Sequence, residues 1–187
     1  PNHFHLVLWP YGDGDLGRWM HWLLTSHVRR YHGFYGSTGR LWQGRCKAFP
    51  IHQDDHLFKV LRYVERNPLR ANLVQKAMLW PWSSLGHWSR RMGPFFLEPG
   101  PVSRPLDWNS FVNTAQTEAE LEALRLSVNR EMPFGPDDWK KECAVRLGLE
   151  SSLRSRGRPI KKFKKTESAF PFLLKESPLE FLRFPQK

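Results

Sequence analysis

Residues 3–9 read HFHLVLW, a short run of aromatic and aliphatic side chains that ends at Pro10. Such a run predicts a β-strand, in which successive side chains point to opposite faces. One face would carry His3, His5, Val7 and Trp9, and the other, a core face, would carry Phe4, Leu6 and Leu8. Two imidazoles side by side suit a metal site or a phosphate-handling site, and ordinary strand histidines near a sheet end are the alternative.

Charge is the strongest compositional signal in the chain. The 187 residues carry a formal net charge of +11, and the pI is about 10.1. Two blocks, residues 16–53 and residues 154–165, contain cations but no Asp or Glu, so the charge is not evenly spread along the chain. A protein with this imbalance is expected to bind a polyanion, and nucleic acid is the first candidate.

Several residues of these blocks are candidate DNA contacts. The cations expected to bind phosphates are Arg18, Arg29, Arg30, Arg40, Arg45 and Lys47. Trp42 could stack on an unpaired base, although a place in the core fits this residue equally well. Arg156 and Arg158 lie in the sequence RGRP, which resembles the core of a minor-groove-binding AT-hook, with a solvated tail as the alternative.

Cys46 and Cys143 are the only cysteines, and their separation fits neither a zinc motif nor a disulfide framework. The sequence shows no secretory signal pattern and no long apolar run. We therefore expect a reduced, cytoplasmic protein without a membrane segment.

Capping residues and apolar periodicity predict four helices. In chain order they begin at Asp15, at Asp54 or Asp55, at Thr117 with its capping-box partner Glu120, and at Pro136. Gly33 would end the first helix and Gly148 the last. Residues 46–51 predict a second strand, and residues 80–109, rich in Pro, Gly, Ser and Trp, predict extended and turn structure.

The second predicted helix carries a tyrosine outside its apolar stripe. Aliphatic residues within positions 57–64 recur at the spacing of a buried face. Tyr63 and Asn67 are four residues apart and share another side of the helix. Pro68 predicts a helix boundary or a bend close to Asn67. Tyr63 is therefore either a candidate nucleophile beside a cationic segment or a plain surface tyrosine.

Four stretches, taken together and in order, resemble a known family. They are PNHFHLVLWP at 1–10, LWQGRCKAFPI at 41–51, YVERNPLRANLV at 63–74 and PWSSLGHW at 81–88. They resemble the REP-associated tyrosine transposases, which belong to the HUH single-strand DNA transposases, named for a His-hydrophobe-His motif. The specific feature is His-Phe-His followed by Tyr-x-x-x-Asn-Pro, and the resemblance extends to about Pro159.

The resemblance implies a site and a reaction. His3 and His5 match the motif histidines, Tyr63 matches the catalytic tyrosine, and Asn67 matches the position of a third polar metal ligand. The family cleaves and rejoins single-stranded DNA beside palindromic hairpins through a covalent phosphotyrosine. His and Asn ligands alone favour Zn, Ni or Fe, but the resemblance implies Mg or Mn. It leaves a monomer and a homodimer open.

The resemblance also implies an architecture. The expected fold class is α+β, with a ferredoxin-like core that lacks the N-terminal strand and helix of its relatives. The expected segments are this core at 1–88, an irregular connector at 89–116, a small helical accessory module at 117–150 and a basic, partly disordered tail at 151–187.

Two other functions remain open. The first is a decayed, catalytically inactive relative that binds hairpin DNA and does not need Tyr63. The second is a metal-dependent hydrolase in which the two histidines activate water. This hydrolase would need further ligands, and the nearest acids, Asp54, Asp55 and Glu65, form no recognisable motif.

Overall fold

The computed structural model describes residues 3–90, 97–154 and 157, and the regular structure in these ranges is helical. The α-helices are α1 Asp15–Tyr35, α2 Asp55–Arg70, α3 Ser84–Arg90, α4 Trp108–Asn113, α5 Glu118–Arg130, α6 Asp137–Leu147 and α7 Glu150–Leu153. A 3₁₀ turn, Ala77–Leu79, lies between α2 and α3. Within the described ranges, none of the helices combines the length and the apolar character needed to cross a membrane.

The expected ferredoxin-like α+β fold is wrong, because the described ranges contain no β-sheet. Their one β-pairing is an isolated parallel bridge between Ile51 and Phe134. Residues 3–9 are not a strand, since no described segment forms a ladder with them and a strand needs such a neighbour to pair its backbone groups. The predicted strand at 46–51 is reduced to the single bridge for the same reason.

The predicted core face of residues 3–9 is also wrong. Phe4, Leu6 and Leu8 are exposed, because in the described part of the chain no second layer covers them. Strand composition describes one segment and does not reveal whether a partner exists that would make it part of a sheet.

The described core is built around α2. One side of the helix faces the 3₁₀ turn, α3 and α4, where the buried cluster consists of Ala77, Leu85, Trp108 and Val112. Another side carries Val60, which packs with Leu124 of α5 and with Phe134. The described residues up to Arg154 belong to one compact unit, so the segments predicted as core, connector and accessory module share these contacts.

Charged side chains of α2 also hold its neighbours. Glu65 is only 1% exposed, and its carboxylate accepts hydrogen bonds from Trp108 Nε1 and Ser84 Oγ, each at 2.7 Å. Arg62 donates to the carbonyl groups of residues 114 and 115, and Arg66 to those of residues 112 and 113. The last carbonyls of α4 have no partner inside that helix, so Arg66 completes its C-terminal end, and Arg62 holds the two residues that follow it.

The predicted caps are largely confirmed. The Asp54 side chain caps α2, and Thr117 and Glu120 form the predicted capping box of α5. Pro136 precedes α6, and Gly148 ends it in the left-handed conformation. The sequence predicts these caps because each depends only on residues within one helical turn.

Three predicted boundaries differ from the structure. α1 continues past Gly33 and ends at Gly36, where a φ of 58° favours a residue without Cβ. α2 continues through Pro68 for two further residues, to Arg70. Residues 80–109 were expected to form extended and turn structure, but they contain α3 and the first residues of α4.

The N-terminus of α2 is fixed by a cluster of one carboxylate and two histidines. Asp54 accepts hydrogen bonds from the backbone N–H of His56 at 2.8 Å, and its oxygens lie 2.8 Å and 3.0 Å from the Nδ1 atoms of His56 and His52. The two rings in turn contact Phe134 and Trp139, with centroids 5.1 Å and 4.9 Å apart. This cluster therefore joins the start of α2 to the segment that leads into α6.

The same cluster makes the ionised form of Asp54 favourable. Partial burial acts to raise its pKa, but the backbone hydrogen bond from His56 and the two imidazoles outweigh it and lower the pKa from 3.8 to about 2. A carboxyl group with a lower pKa in the folded state adds stability above its unfolded pKa and loses it as the pH falls. The contribution is complete above about pH 4 and disappears towards pH 2.

We expect Asp54→Asn to be less stable than the parent at neutral pH, and the difference to shrink as the pH falls from 4 to 2. Asparagine is an equally good N-cap, so the substitution removes the charge and keeps the cap. Urea unfolding at pH 7, 4, 3 and 2 measures the difference. A difference that stays constant over this range would contradict the assigned role of the Asp54 charge.

Leu124→Ala tests the packing of α5 on α2. Leu124 is 1% exposed, so its truncation is expected to lower the free energy of unfolding by about 2–5 kcal/mol. Leu126→Ala in the same helix, where the side chain is 48% exposed, is the matched control and should change stability by less than about 0.5 kcal/mol. Equal losses in urea unfolding would show that α5 does not bury this face.

Candidate functional site

Three of the predicted site residues lie together. The rings of His3 and His5 meet edge to face with centroids 5.1 Å apart, as expected for alternate residues of an extended segment. The ring of His5 meets that of Tyr63 on α2 with centroids 5.6 Å apart. The segment at the start of the chain therefore places His5 against the tyrosine, with His3 beside His5, although the segment belongs to no sheet.

Arg70 completes this cluster and is absent from the residues that the sequence predicts for it. Its Nη2 donates a hydrogen bond to the Tyr63 hydroxyl at 3.2 Å. Its guanidinium carbon also lies 4.6 Å from the centroid of the tyrosine ring, a cation–π arrangement. The available signal was the seven-residue spacing between Tyr63 and Arg70, which places both residues on one face after two helical turns.

The surroundings of His5 favour its neutral form. Burial lowers the pKa of its imidazole below 6.5, and the nearby His3 and Arg70 lower it further. Its Nε2 atom is buried and has no hydrogen-bond partner among the described residues. A neutral imidazole with an unused nitrogen is the form that binds a metal ion.

His3 and His5 are neighbouring side chains beside Tyr63 that could ligate a metal ion. His5 offers an unpartnered nitrogen and His3 is its neighbour, while Asn67 lies one helical turn after Tyr63 and is partly buried. In the ranges that the structure describes, no three His, Cys, Asp or Glu side chains are grouped to hold a metal. A metal held here would therefore need oxygen ligands from substrate or water, as Mg²⁺ usually does.

The acids considered for a hydrolase have other partners or stay outside the cluster. Glu65 is bound to Trp108 and Ser84, and Asp54 to the imidazoles of His52 and His56. Asp55 is exposed in the first turn of α2. The arrangement around His3 and His5 thus contains a tyrosine and an arginine rather than a carboxylate.

Most of the cations predicted to bind DNA are exposed. Arg18, Arg29 and Arg30 lie on α1, and Arg40, Arg45 and Lys47 lie in the segment between α1 and α2. Arg18 pairs with Asp15, and Lys47 donates a hydrogen bond to the side chain of Asn129 at 3.2 Å. Arg156 and Arg158 lie outside the described residues, as does most of the segment predicted as a basic tail.

Trp42 occupies a packed position. Its ring meets Phe4 edge to face at 5.3 Å and His27 at 5.1 Å, and the side chain is partly buried. These contacts join the extended segment, α1 and the loop after α1. A base could stack on this ring only at a part that Phe4 and His27 leave uncovered.

No protein-family model matches this chain, and neither a curated protein nor a solved structure matches it.

Proposed function

We propose that this chain is a tyrosine transposase that cleaves and rejoins single-stranded DNA at hairpin elements and is related to the REP-associated HUH enzymes. One observation carries the proposal: the hydroxyl of Tyr63 is bound by Arg70 while its ring lies against His5, whose own ring contacts His3. A surface tyrosine has no need of a cation on its oxygen and an imidazole beside its ring. A nucleophile that attacks a phosphodiester uses both.

The proposed step transfers a phosphoryl group to the tyrosine. The Tyr63 oxygen attacks the phosphorus, a P–O bond to the tyrosine forms, and the P–O bond to the 3′-oxygen breaks. The phenol loses one proton and the departing 3′-oxygen gains one. One phosphate ester bond replaces another, so the step needs no ATP. Attack by a 3′-hydroxyl on the phosphotyrosine reverses the step and rejoins DNA.

Arg70 stabilises the charge that this step creates. The attacking oxygen and the phosphate are both negative, and an arginine donates planar hydrogen bonds to such oxygens. With Nη2 already 3.2 Å from the Tyr63 hydroxyl, Arg70 lies where negative charge develops as that oxygen attacks the phosphorus. A fixed donor of this kind costs no reorganisation during the reaction.

His3, His5 and Asn67 would hold Mg²⁺ or Mn²⁺. When bound, such an ion polarises a phosphate oxygen and orients the phosphodiester for in-line attack. The contribution of the chain is to keep His5 neutral through burial and to fix its ring against Tyr63. The exposed cations of the acid-free block at 16–53 attract the DNA, and the free Cys46 and Cys143 suit a reducing, cytoplasmic setting.

Tyr63→Phe should abolish a covalent protein–DNA adduct. The assay mixes the chain with labelled single-stranded hairpin DNA and Mn²⁺ or Mg²⁺, and a denaturing gel separates adduct from free DNA. The adduct is expected with the parent and should disappear in Tyr63→Phe and in excess chelator. Tyr11→Phe, which changes a side chain 95% exposed, is the matched control and should form as much adduct as the parent.

Binding of the same DNA separates the remaining explanations. A parent chain that binds the hairpin but forms no adduct would support the inactive, DNA-binding alternative. An adduct that survives in Tyr63→Phe would place the nucleophile elsewhere and end the proposal.

Arg70→Gln should slow adduct formation roughly 100-fold at saturating DNA, the usual effect of removing one hydrogen-bond donor to a developing negative charge. Arg70→Lys should recover only part of the rate, because lysine keeps the charge and loses the planar fork. Arg146→Gln, at an exposed position of α6, removes the same charge elsewhere and serves as the control. Single-turnover rates measured together with DNA affinity distinguish a chemical role of Arg70 from a role in DNA binding alone. An unchanged rate of adduct formation in Arg70→Gln at saturating DNA would refute the chemical role.

A further inference from the structure

A polar groove lies next to the tyrosine, at the C-terminal end of α2. It has a volume of about 770 Å³ and lies between the end of α2, the segment that leads into the 3₁₀ turn, and α4. A cleft of this size is within the usual range for ligand sites. Its walls include Arg66, Arg70, Asn72, Gln75, Lys76 and Asn109.

The charges in this groove have one sign. Three of the residues that line it are cations, and none is Asp or Glu. Arg66 is held in the wall by its hydrogen bonds to the carbonyls of residues 112 and 113, so its charge is fixed in position. The side chains of Gln75 and Lys76 are exposed and have no hydrogen-bond or ion-pair partner among the described residues, so their donors are available to a ligand.

Arg70 connects the groove to the candidate nucleophile. It lines the groove and at the same time donates a hydrogen bond to the Tyr63 hydroxyl. A ligand that reaches Tyr63 along this wall meets a line of cations and side-chain amides. Cations fit phosphate oxygens, and amides fit sugar oxygens and base edges, so the chemistry suits a single nucleic-acid strand.

We propose that this groove binds the phosphodiester backbone of a DNA single strand and leads it to Tyr63. The inference rests on the proposed function, because it identifies which surface beside the nucleophile holds the substrate strand. Lys76 binds a phosphate, Arg66 supplies a fixed positive charge, and Arg70 forms the boundary between the groove and the reacting phosphate. These cations lie in residues 66–97, a further stretch of the sequence without Asp or Glu.

Lys76→Gln is the test, measured by fluorescence anisotropy with a labelled single-stranded oligonucleotide over a series of KCl concentrations. Loss of one phosphate contact should weaken binding several-fold at low salt. It should also reduce the slope of log K against log salt by about 0.7 in magnitude, the value for one contact on a single strand. Lys76→Arg should keep the parent slope.

Lys141→Gln is the matched control, because Lys141 lies on α6, away from the groove, and is equally a lysine on the surface. Its slope should equal that of the parent. Identical slopes for Lys76→Gln and Lys141→Gln would overturn the groove assignment and leave adduct formation at Tyr63 untouched. A reduced slope in Lys76→Gln together with no adduct in the parent would instead support the groove and refute the proposed chemistry.

Discussion

The structure depends on one buried carboxylate. Removing an ionised carboxylate from water costs several kcal/mol unless donors and positive charge compensate for it. Glu65 is 1% exposed. It accepts hydrogen bonds from Trp108 and Ser84, and Arg104 supplies positive charge, with its Nη2 3.6 Å from Glu65 Oε1. All three lie outside α2, so Glu65 is compensated only when α3, α4 and the segment before α4 are docked on that helix. Tyr63, two residues earlier, obtains its position from the same docking.

Helical periodicity links this core to the candidate site. Arg62, Arg66 and Arg70 follow each other at intervals of four and form one row along α2. Arg62 and Arg66 donate hydrogen bonds to backbone carbonyls at and just after the end of α4, and Arg70 donates one to the Tyr63 hydroxyl. Because Arg62 and Arg66 fix the rotation of the helix against α4, Arg70 and Tyr63 have little freedom to turn away from the histidine pair.

What the sequence predicted well is local. The capping box at Thr117 and the caps at Asp54 and Gly148 each depend on residues within a turn, and the shared side of His3 and His5 follows from alternation. The prediction of a sheet was wrong because strand composition describes one segment, whereas a β-ladder requires a second segment at the right distance. The pairing of Ile51 with Phe134 shows this, since their separation of 83 positions leaves no local pattern to read.

Net charge predicted the kind of partner but not the place where it binds. The cations at 16–53 share a block without Asp or Glu, and they lie exposed on α1 and the loop after it. Charges of this kind act at a distance only up to the screening length, about 8 Å at physiological salt, and give attraction without register. Arg66, Arg70 and Lys76 lie in a further acid-free stretch, residues 66–97, and the fold places all three along one groove beside Tyr63. The first group can therefore raise the local concentration of DNA, while a defined phosphate position requires the second.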